Sequence, residues 1–220
     1  MFREMRNVAE SGFKYGWRNR TVRLLVLHSF FVWGFFYWAW YAWPPYFLDL
    51  FGREDAVWLA GVVAAQFSLA QLAGNAVAGR VARVGRRRTT ILLVSCALLS
   101  LLMTATGVVQ FFWVTVPLFL LGAIAAGVMQ PLHQAYLHSS IPTTERATLV
   151  SFNSLLANLG SIGGSTGLGY VSQVRSVPAG FIVGGLATFV AIPLLVRLRH
   201  LGERGDRIEE SAGGLAKAGA

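Results

Sequence analysis

The sequence predicts an all-α membrane protein with six transmembrane helices. Only 13% of its 220 residues are charged, against about 25% in a soluble domain, while 55% are hydrophobic and the mean hydropathy is +0.54. The charges leave five uncharged runs of 25, 24, 56, 28 and 21 residues, which are 24–48, 56–79, 89–144, 147–174 and 176–196. Because a spanning helix needs about 20 apolar residues, the 56-residue run holds two spans and each other run holds one.

The basic residues support this count and give it an orientation. With six spans, 17 of the 19 Lys and Arg residues fall on one side of the membrane, and only Arg53 and Arg175 fall on the other. Cytoplasmic loops are enriched in Lys and Arg. We therefore expect a multi-pass protein of the cell membrane with both termini in the cytoplasm.

Other classes of protein are poorly supported. The single cysteine, Cys96, lies inside an apolar run, and the four histidines are badly spaced for a shared metal, so we expect no metal site and no cofactor. The net charge of +9 flanks apolar spans instead of forming a continuous basic surface, which argues against nucleic acid. No carboxylate pair or nucleophile with a base lies at membrane depth, so we do not expect an enzyme.

Three regions follow from this pattern. Residues 1–23 form a basic cytoplasmic leader, residues 24–198 the transmembrane domain, and residues 199–220 a disordered cytoplasmic tail. Apolar residues in the leader recur at three- and four-residue spacing, which favours a helix in the membrane interface over the alternative, a loosely ordered basic loop. These residues are Phe2, Met5, Ala9, Phe13 and Trp17. The leader lacks the short apolar stretch and cleavage site of a secretory signal.

The amides and imidazoles are unevenly distributed among the spans. Inside the spans they are concentrated in the first, second, fourth and fifth, at His28, Gln66, Gln71, Asn75, Gln130, His133, Gln134, His138, Asn153 and Asn158. An amide facing hydrocarbon lacks a partner, so we expect these four spans to lie inside and the third and sixth to face lipid. The order inner, inner, outer occurs twice, as in a 3+3 inverted-repeat bundle.

Aromatic residues dominate the first span, where twelve of the eighteen residues 30–47 are Phe, Trp or Tyr. Trp33, Tyr37 and Trp40 share one helical face near mid-membrane, where an indole or phenol needs a partner. They are candidates to line a pocket for an apolar or aromatic solute; the alternative is an interfacial belt with ordinary packing. Pro44 and Pro45 are expected to stop or kink this helix.

Amides near mid-depth are the candidate polar contacts for a solute. Gln66, Gln130 and Asn158 belong to this group together with Gln71, and the alternative is that they hydrogen-bond between helices. Pro131 is expected to break the fourth helix just before His133 and Gln134, which are also candidates to bind the solute. Within the spans only His133 and His28 would change charge near neutral pH, so a coupling carboxylate lies elsewhere or transport is uncoupled.

Small residues recur every four positions in the second and fifth spans. They are Ala70, Gly74 and Ala78 in the second, and Gly160 with Gly164 and Gly163 with Gly167 in the fifth. Such spacing lets helix backbones approach closely. Packing within the bundle and an interface with another bundle both explain it.

The loop after the second span carries a recognisable signature. It reads Ala78-Gly-Arg-Val-Ala-Arg-Val-Gly-Arg-Arg-Arg88 and resembles the loop G-x-x-x-D-R-x-G-R-R of the major facilitator superfamily. Arg83, Gly85, Arg86 and Arg87 match, and the resemblance implies that they form a gating loop. Ala78 stands for the leading glycine, and Ala82 for the acidic residue that helps latch this loop in the family.

The resemblance covers residues 21–199 and matches the carboxyl-terminal half of such transporters, with the stretch 141–170 similar to the turn and eleventh helix. It implies that the first and fourth spans line a cavity for a small solute. It also implies that the second and fifth spans contact a missing amino-terminal half, or a second copy in a homodimer. The resulting hypothesis is transport as one half of a secondary transporter. The alternative is a truncated or accessory six-helix protein with no transport activity of its own.

Overall fold

The computed structural model describes residues 16–53, 55–142, 146–202, 206 and 208, and most of these residues are helical. Seven helices follow one another along this part of the chain. They are α1 (Arg20–Phe51), α2 (Val57–Gly85), α3 (Arg88–Val108), α4 (Phe112–Ser139), α5 (Arg146–Val174), α6 (Val177–Phe189) and α7 (Ala191–Leu201). The interfacial leader helix was predicted over residues that lie almost wholly outside the described ones.

Five helical segments in the described part of the chain are long and apolar enough to cross a membrane. They are α1, α2, α3, α4 and the continuous stretch Val177–Leu201, in which α6 and α7 meet at Val190. The remaining helix, α5, has 29 residues, which is sufficient length for a span. Its Ser, Asn and Gly content makes it less apolar than the others. The structure therefore confirms a helical membrane protein, while the sixth span stays a prediction.

The prolines inside α1 and α4 end neither helix, so the expected break at Pro131 was wrong. Helix α1 continues through Pro44 and Pro45 as far as Phe51. Helix α4 continues through Pro117 and Pro131 to Ser139, so no break precedes His133. Proline ends helices less often in membranes than in water, because neighbouring helices and local adjustments satisfy the freed backbone groups.

Close helix pairs organise the bundle, and glycine allows the closest of them. Helix α1 packs along α5, α2 along α4, and α3 between α4 and α6. A Cβ atom built on Gly160 would fall on the carbonyl oxygen of Phe30, and one on Gly164 would fall on that of Gly34. Both glycines therefore serve contacts within the chain, whereas Gly163 and Gly167 face open space.

Glycine residues also allow a close contact between helices α2 and α4. A Cβ atom on Gly74 would fall on the carbonyl oxygen of Ile124, and one on Gly127 would fall on that of Gln71. Helices α2 and α4 therefore approach backbone to backbone at this level. This contact fixes Gln71 of α2 beside the face of α4 that carries Gln130 and His133.

Burial differs from the pattern that the polar residues predicted. Eleven of the 21 residues of α3 are buried, against six of 29 in α2 and six of 29 in α5. The third helix therefore contributes to the core, although Val94, Leu98 and Leu101 on its outer side are exposed. The second and fifth helices lie at the edge of the bundle, where Gln66 and Asn158 are exposed.

The loops that carry most arginines meet at one end of the bundle. Asn19 caps α1 and donates a hydrogen bond from Nδ2 to the carbonyl oxygen of Ser140. Arg88 donates to the hydroxyl of Ser139 at 2.9 Å. At the opposite end, the guanidinium of Arg53 binds the carboxylate of Asp55 at 2.9 Å and lowers the pKa of that carboxyl. This pairing neutralises one of the two arginines at that end.

One residue of the predicted tail packs against the end of the bundle that carries most arginines, which we call the basic end. Asp206 is buried, and its carboxylate accepts hydrogen bonds from the backbone N–H of Thr89 at 2.8 Å and from the Thr89 hydroxyl at 2.9 Å. The carboxylate thereby satisfies a backbone donor in the first turn of α3, which otherwise has no side-chain cap. Ile208 donates its N–H to the carbonyl of Arg86. Both residues therefore bind the loop between α2 and α3.

Candidate functional site

A cavity lies between helices α1, α2 and α4. Its volume is about 30 Å³, and about 450 Å³ of space surrounds it when the open mouth is included. Eleven side chains line it, namely His28, Ser29, Val32, Trp33, Phe36, Gln71, Ala126, Met129, Gln130, His133 and Gln134. Among these, the polar groups are imidazoles, amides and one hydroxyl, and none is a carboxylate, guanidinium or ammonium group. The cavity therefore offers hydrogen bonds and apolar surface without a permanent charge.

An aromatic groove continues from this cavity along α1 and α2. Its volume is about 400 Å³, and it is lined by Trp33, Phe36, Tyr37, Trp40, Phe67, Ser68, Gln71, Leu72 and Asn75. Trp33, Phe36 and Gln71 belong to both spaces. The cavity and the groove therefore form one continuous surface, which we call the cavity wall.

Helical spacing explains how the aromatic rings come together. Trp33, Tyr37 and Trp40 lie four and three residues apart, so they project from the same side of α1. The ring centroids of Trp33 and Tyr37 are 5.9 Å apart, and those of Trp40 and Phe67 on α2 are 5.0 Å apart. Tyr37 is 42% exposed and Trp40 is 38% exposed. Their faces are available to a partner outside this chain.

The imidazole groups lie at the closed end of the cavity. The rings of His28 on α1 and His133 on α4 stack with centroids 5.3 Å apart and planes 23° apart. Nε2 of His133 is 3.1 Å from the hydroxyl of Ser29 and 3.1 Å from the carbonyl oxygen of Leu25. Neither ring nitrogen of His28 has a hydrogen-bond partner in the described structure.

Six of the eight predicted solute-binding residues lie on the cavity wall. Gln130, His133 and Gln134 belong to the cavity, Tyr37 and Trp40 to the groove, and Trp33 to both. The structure does not bring the other two, Gln66 and Asn158, to this wall, and both are exposed at the edge of the bundle.

Several residues of the wall were not predicted as site residues. They include Phe36, Phe67 and Ser29, whose types gave no signal distinct from packing. His28 was recognised only as a polar position in its span, whereas Gln71 was a candidate polar contact that the packing of α2 on α4 brings to the cavity. Their proximity to Gln130 could not be read from spacing along a single helix.

The predicted gating loop lies at the basic end, away from the cavity. Arg83 is in the last turn of α2, Gly85 ends that helix, and Arg86 adopts a left-handed backbone conformation with φ +52°. Arg87 then continues in an extended conformation before α3 begins. Among the described residues, no carboxylate forms an ion pair with Arg83, Arg86 or Arg87, and the position of the absent acid, Ala82, is buried.

A comparison with families of known proteins gives a match over most of the chain. The family model described as Major Facilitator Superfamily matches residues 25–218, which include all of the cavity wall. The chain belongs to the major facilitator superfamily. No curated protein matches it closely enough to count as a relative.

Membership of the major facilitator superfamily sets the broad class of activity. Its members are transporters and not enzymes, so the chain is a membrane protein of transporter type. Five helical segments of the described chain are long and apolar enough to cross a membrane, which is consistent with this family. Within the described residues no group of three or more His, Cys, Asp or Glu side chains is placed to hold a metal ion.

Proposed function

We propose that this chain moves a small solute across the membrane as one six-helix half of a major facilitator type secondary transporter. The observation that carries this proposal is the cavity wall, a continuous surface of exposed aromatic rings and amides at the side of a membrane bundle. Ligand sites combine mainly apolar lining with a few polar groups that orient the ligand. In this wall, Gln130 and Gln134 orient the solute, and Trp33 and Trp40 hold its apolar part.

The wall is half of a site because it is open on the side away from the bundle. Helices α2 and α5, at the edges of that side, expose apolar residues and two amides, Gln66 and Asn158. An amide that faces hydrocarbon has no hydrogen-bond partner and costs several kcal/mol on the order of a lost hydrogen bond. A second six-helix unit would cover these amides. That unit is an amino-terminal half or a second copy of this chain.

Transport follows from motion between the two units. If the solute lies between them, rocking of one bundle against the other exposes it first to one side and then to the other. The tightly packed pairs α1 with α5 and α2 with α4 let each bundle move as a rigid body. We propose that both termini face the cytoplasm, because six spans would put 17 of the 19 Lys and Arg residues of the sequence on one side of the membrane.

Reconstitution in liposomes tests this function. The purified chain should form particles that contain more than one bundle, or it should be inactive until a second bundle is supplied. We expect this because a second bundle would bury the open cavity wall and the exposed amides on α2 and α5. Light scattering gives the mass of the particle, and uptake of labelled aromatic solutes gives the flux. A monodisperse particle with one copy of the chain that carries solute would contradict the half-transporter proposal.

A further inference from the structure

A second open space lies between α2 and α3 at the basic end, and we call it the α2–α3 groove. Its volume is about 420 Å³. Helix α2 lines it with Arg80, Val81 and Val84, and α3 lines it with Ile91 and Val94. None of these residues belongs to the cavity wall. The groove is therefore separate from the proposed solute site.

The walls of the α2–α3 groove are apolar and open to the surroundings of the bundle. Val84 is 86% exposed and Val94 is 62% exposed. Leu98 and Leu101 continue the exposed surface along α3, because positions spaced four and three residues apart share one side of a helix. From Val94 to Leu101 this strip is roughly 10 Å long, at 1.5 Å per residue. An acyl chain can lie along it.

Positive charge surrounds the end of the groove that lies nearest the α2–α3 loop. Five of the nine residues 80–88 are Arg, and none is Asp or Glu. Four of these arginines are exposed, namely Arg80, Arg83, Arg86 and Arg87. Within residues 16–53, 55–142 and 146–202, none of the four forms an ion pair with a carboxylate. Asp206, at the same end, binds Thr89 instead. These guanidinium groups are therefore available to an anion from outside the chain.

Arg80 joins this charge to the apolar groove. It lies five residues before the end of α2 at Gly85, which is roughly 7.5 Å along the helix axis. An arginine near a membrane surface keeps its aliphatic stem on apolar groups and its guanidinium among the lipid head groups. The guanidinium binds phosphate through two parallel hydrogen bonds. On the opposite wall of the groove, Thr90 adds a hydroxyl.

We propose that the α2–α3 groove binds an anionic phospholipid, with its phosphate on Arg80 and an acyl chain along Val94 and Leu98. A lipid matches both parts of this surface, because its head group complements the arginines and its chain covers the apolar strip. A free phosphate would leave the strip uncovered, and the choline of a neutral lipid would be repelled by the neighbouring arginines. Basic pockets between transmembrane helices suit anionic head groups. This site does not depend on the proposed transport function.

Photo-cross-linking in nanodiscs tests the lipid site. The full chain is placed in phosphatidylcholine nanodiscs that contain a small fraction of phosphatidylglycerol with a photoreactive diazirine in one acyl chain. The same label on phosphatidylcholine gives the neutral comparison, and mass spectrometry of peptides locates the labelled residues. We expect phosphatidylglycerol to label residues 91–101 several-fold more than phosphatidylcholine does, because both lipids reach this apolar surface and only the anionic one is held by Arg80.

The charge is tested by Arg80→Gln, with Arg146→Gln as its matched control. Arg146 is exposed at the start of α5 and does not line the groove. We expect Arg80→Gln to lower the phosphatidylglycerol labelling to the level of phosphatidylcholine, and Arg146→Gln to leave it unchanged. Arg80→Lys keeps a positive charge and should retain most of the labelling. Size-exclusion chromatography checks that each variant is folded.

The apolar part of the groove is tested by Val94→Phe, whose larger side chain occupies the place of the acyl chain. Val114→Phe is its control, because Val114 is also exposed but lies on α4 outside the groove. We expect Val94→Phe to reduce the phosphatidylglycerol labelling several-fold and Val114→Phe to leave it unchanged. Equal labelling in these two variants would contradict an acyl chain in the groove.

Two further results would overturn the proposal. If the two lipids label residues 91–101 equally, or if Arg80→Gln and Arg146→Gln lose labelling alike, the arginines attract anionic lipid to the membrane surface without a specific site. Soluble glycerol phosphate in excess should not reduce the labelling. If it does, the groove binds a phosphate that carries no acyl chain. Solute flux is measured separately, so failure of the lipid site leaves the proposed transport function to its own test.

Discussion

Replacing Gly160 with leucine should separate helices α1 and α5 and remove most of the folded protein from the membrane extract. The backbones touch here, since a Cβ atom on Gly160 would overlap the carbonyl of Phe30. The neighbouring group is main chain, which cannot rotate away as a side chain can. Overpacking of a core by a few carbon atoms costs about 1–3 kcal/mol, and a clash with a helix backbone exceeds that. Size-exclusion chromatography of a fluorescent fusion measures the folded fraction.

The matched control is Gly163→Leu, three residues further along the same helix. Nothing lies within 4 Å of a Cβ atom at Gly163, so this leucine meets open space and the single chain should keep its thermal stability. Both substitutions add the same side chain to the same helix, so helix propensity and hydrophobicity cancel. Equal losses for both variants would show that α5 does not pack against α1 through Gly160.

Truncating the cavity wall should weaken solute binding without reducing the amount of protein. We expect Gln130→Ala and Trp40→Ala to raise the half-saturating solute concentration several-fold in membranes that contain both halves. Gln130 loses a polar contact that orients the solute. The Trp40→Ala substitution removes an indole ring that is 38% exposed and can contact the solute. A contact between a cationic group and such a ring is worth about 0.5–2 kcal/mol where it is shielded from water.

Leu98→Ala is the control for this second prediction. Leu98 is 45% exposed on the outer side of α3 and does not line the cavity wall. Its truncation removes a side chain of comparable exposure from a face that we assign to lipid. If Leu98→Ala and Gln130→Ala change the half-saturating concentration alike, or if both act only by lowering the protein level, the residues of the wall are packing residues.

Charge and hydropathy were sufficient to predict most of the fold. The uncharged runs located α1 to α4 because the membrane requires both length and low charge of a span. The continuity of the helices at Pro44 and Pro131 was not predictable from the proline rule, which describes helices whose freed backbone groups meet water. The burial of α3 was not predictable either, because a helix without amides is equally suited to lipid and to an apolar core.

Residue type predicted most of the candidate site, but it could not tell which polar residues face the cavity wall, because that depends on their rotation about the helix axis. Gln66 and Gln71 lie at similar depth, but five residues in a helix amount to a rotation of about 140°. Only Gln71 therefore reaches the cavity. Similarly, Gly160 and Gly163 differ by about 60° around α5, and that rotation decides which one contacts α1. Sequence periodicity shows which residues share a polar face of a helix. The packing of α2 on α4 is needed to show which of those residues face the cavity.

The most direct measurement is the reactivity of single cysteines on the cavity wall with a charged, membrane-impermeant thiol reagent. Only a cysteine in contact with water ionises and reacts. Gln71→Cys and Gln130→Cys are compared with Leu98→Cys in membrane vesicles of both orientations; the native Cys96 is buried and serves as background. Arg87→Cys and Ser176→Cys, in loops at opposite ends of the bundle, report which side the reagent reaches.

A solute cavity between two bundles predicts that Gln71→Cys and Gln130→Cys react from at least one side of the membrane, while Leu98→Cys reacts from neither. It also predicts that Arg87→Cys reacts only from the cytoplasmic side and Ser176→Cys only from the outside. If both wall cysteines are as unreactive as Leu98→Cys while the loop cysteines react, the wall is covered by lipid or by packing. That result would contradict the assignment of this chain as half of a solute transporter.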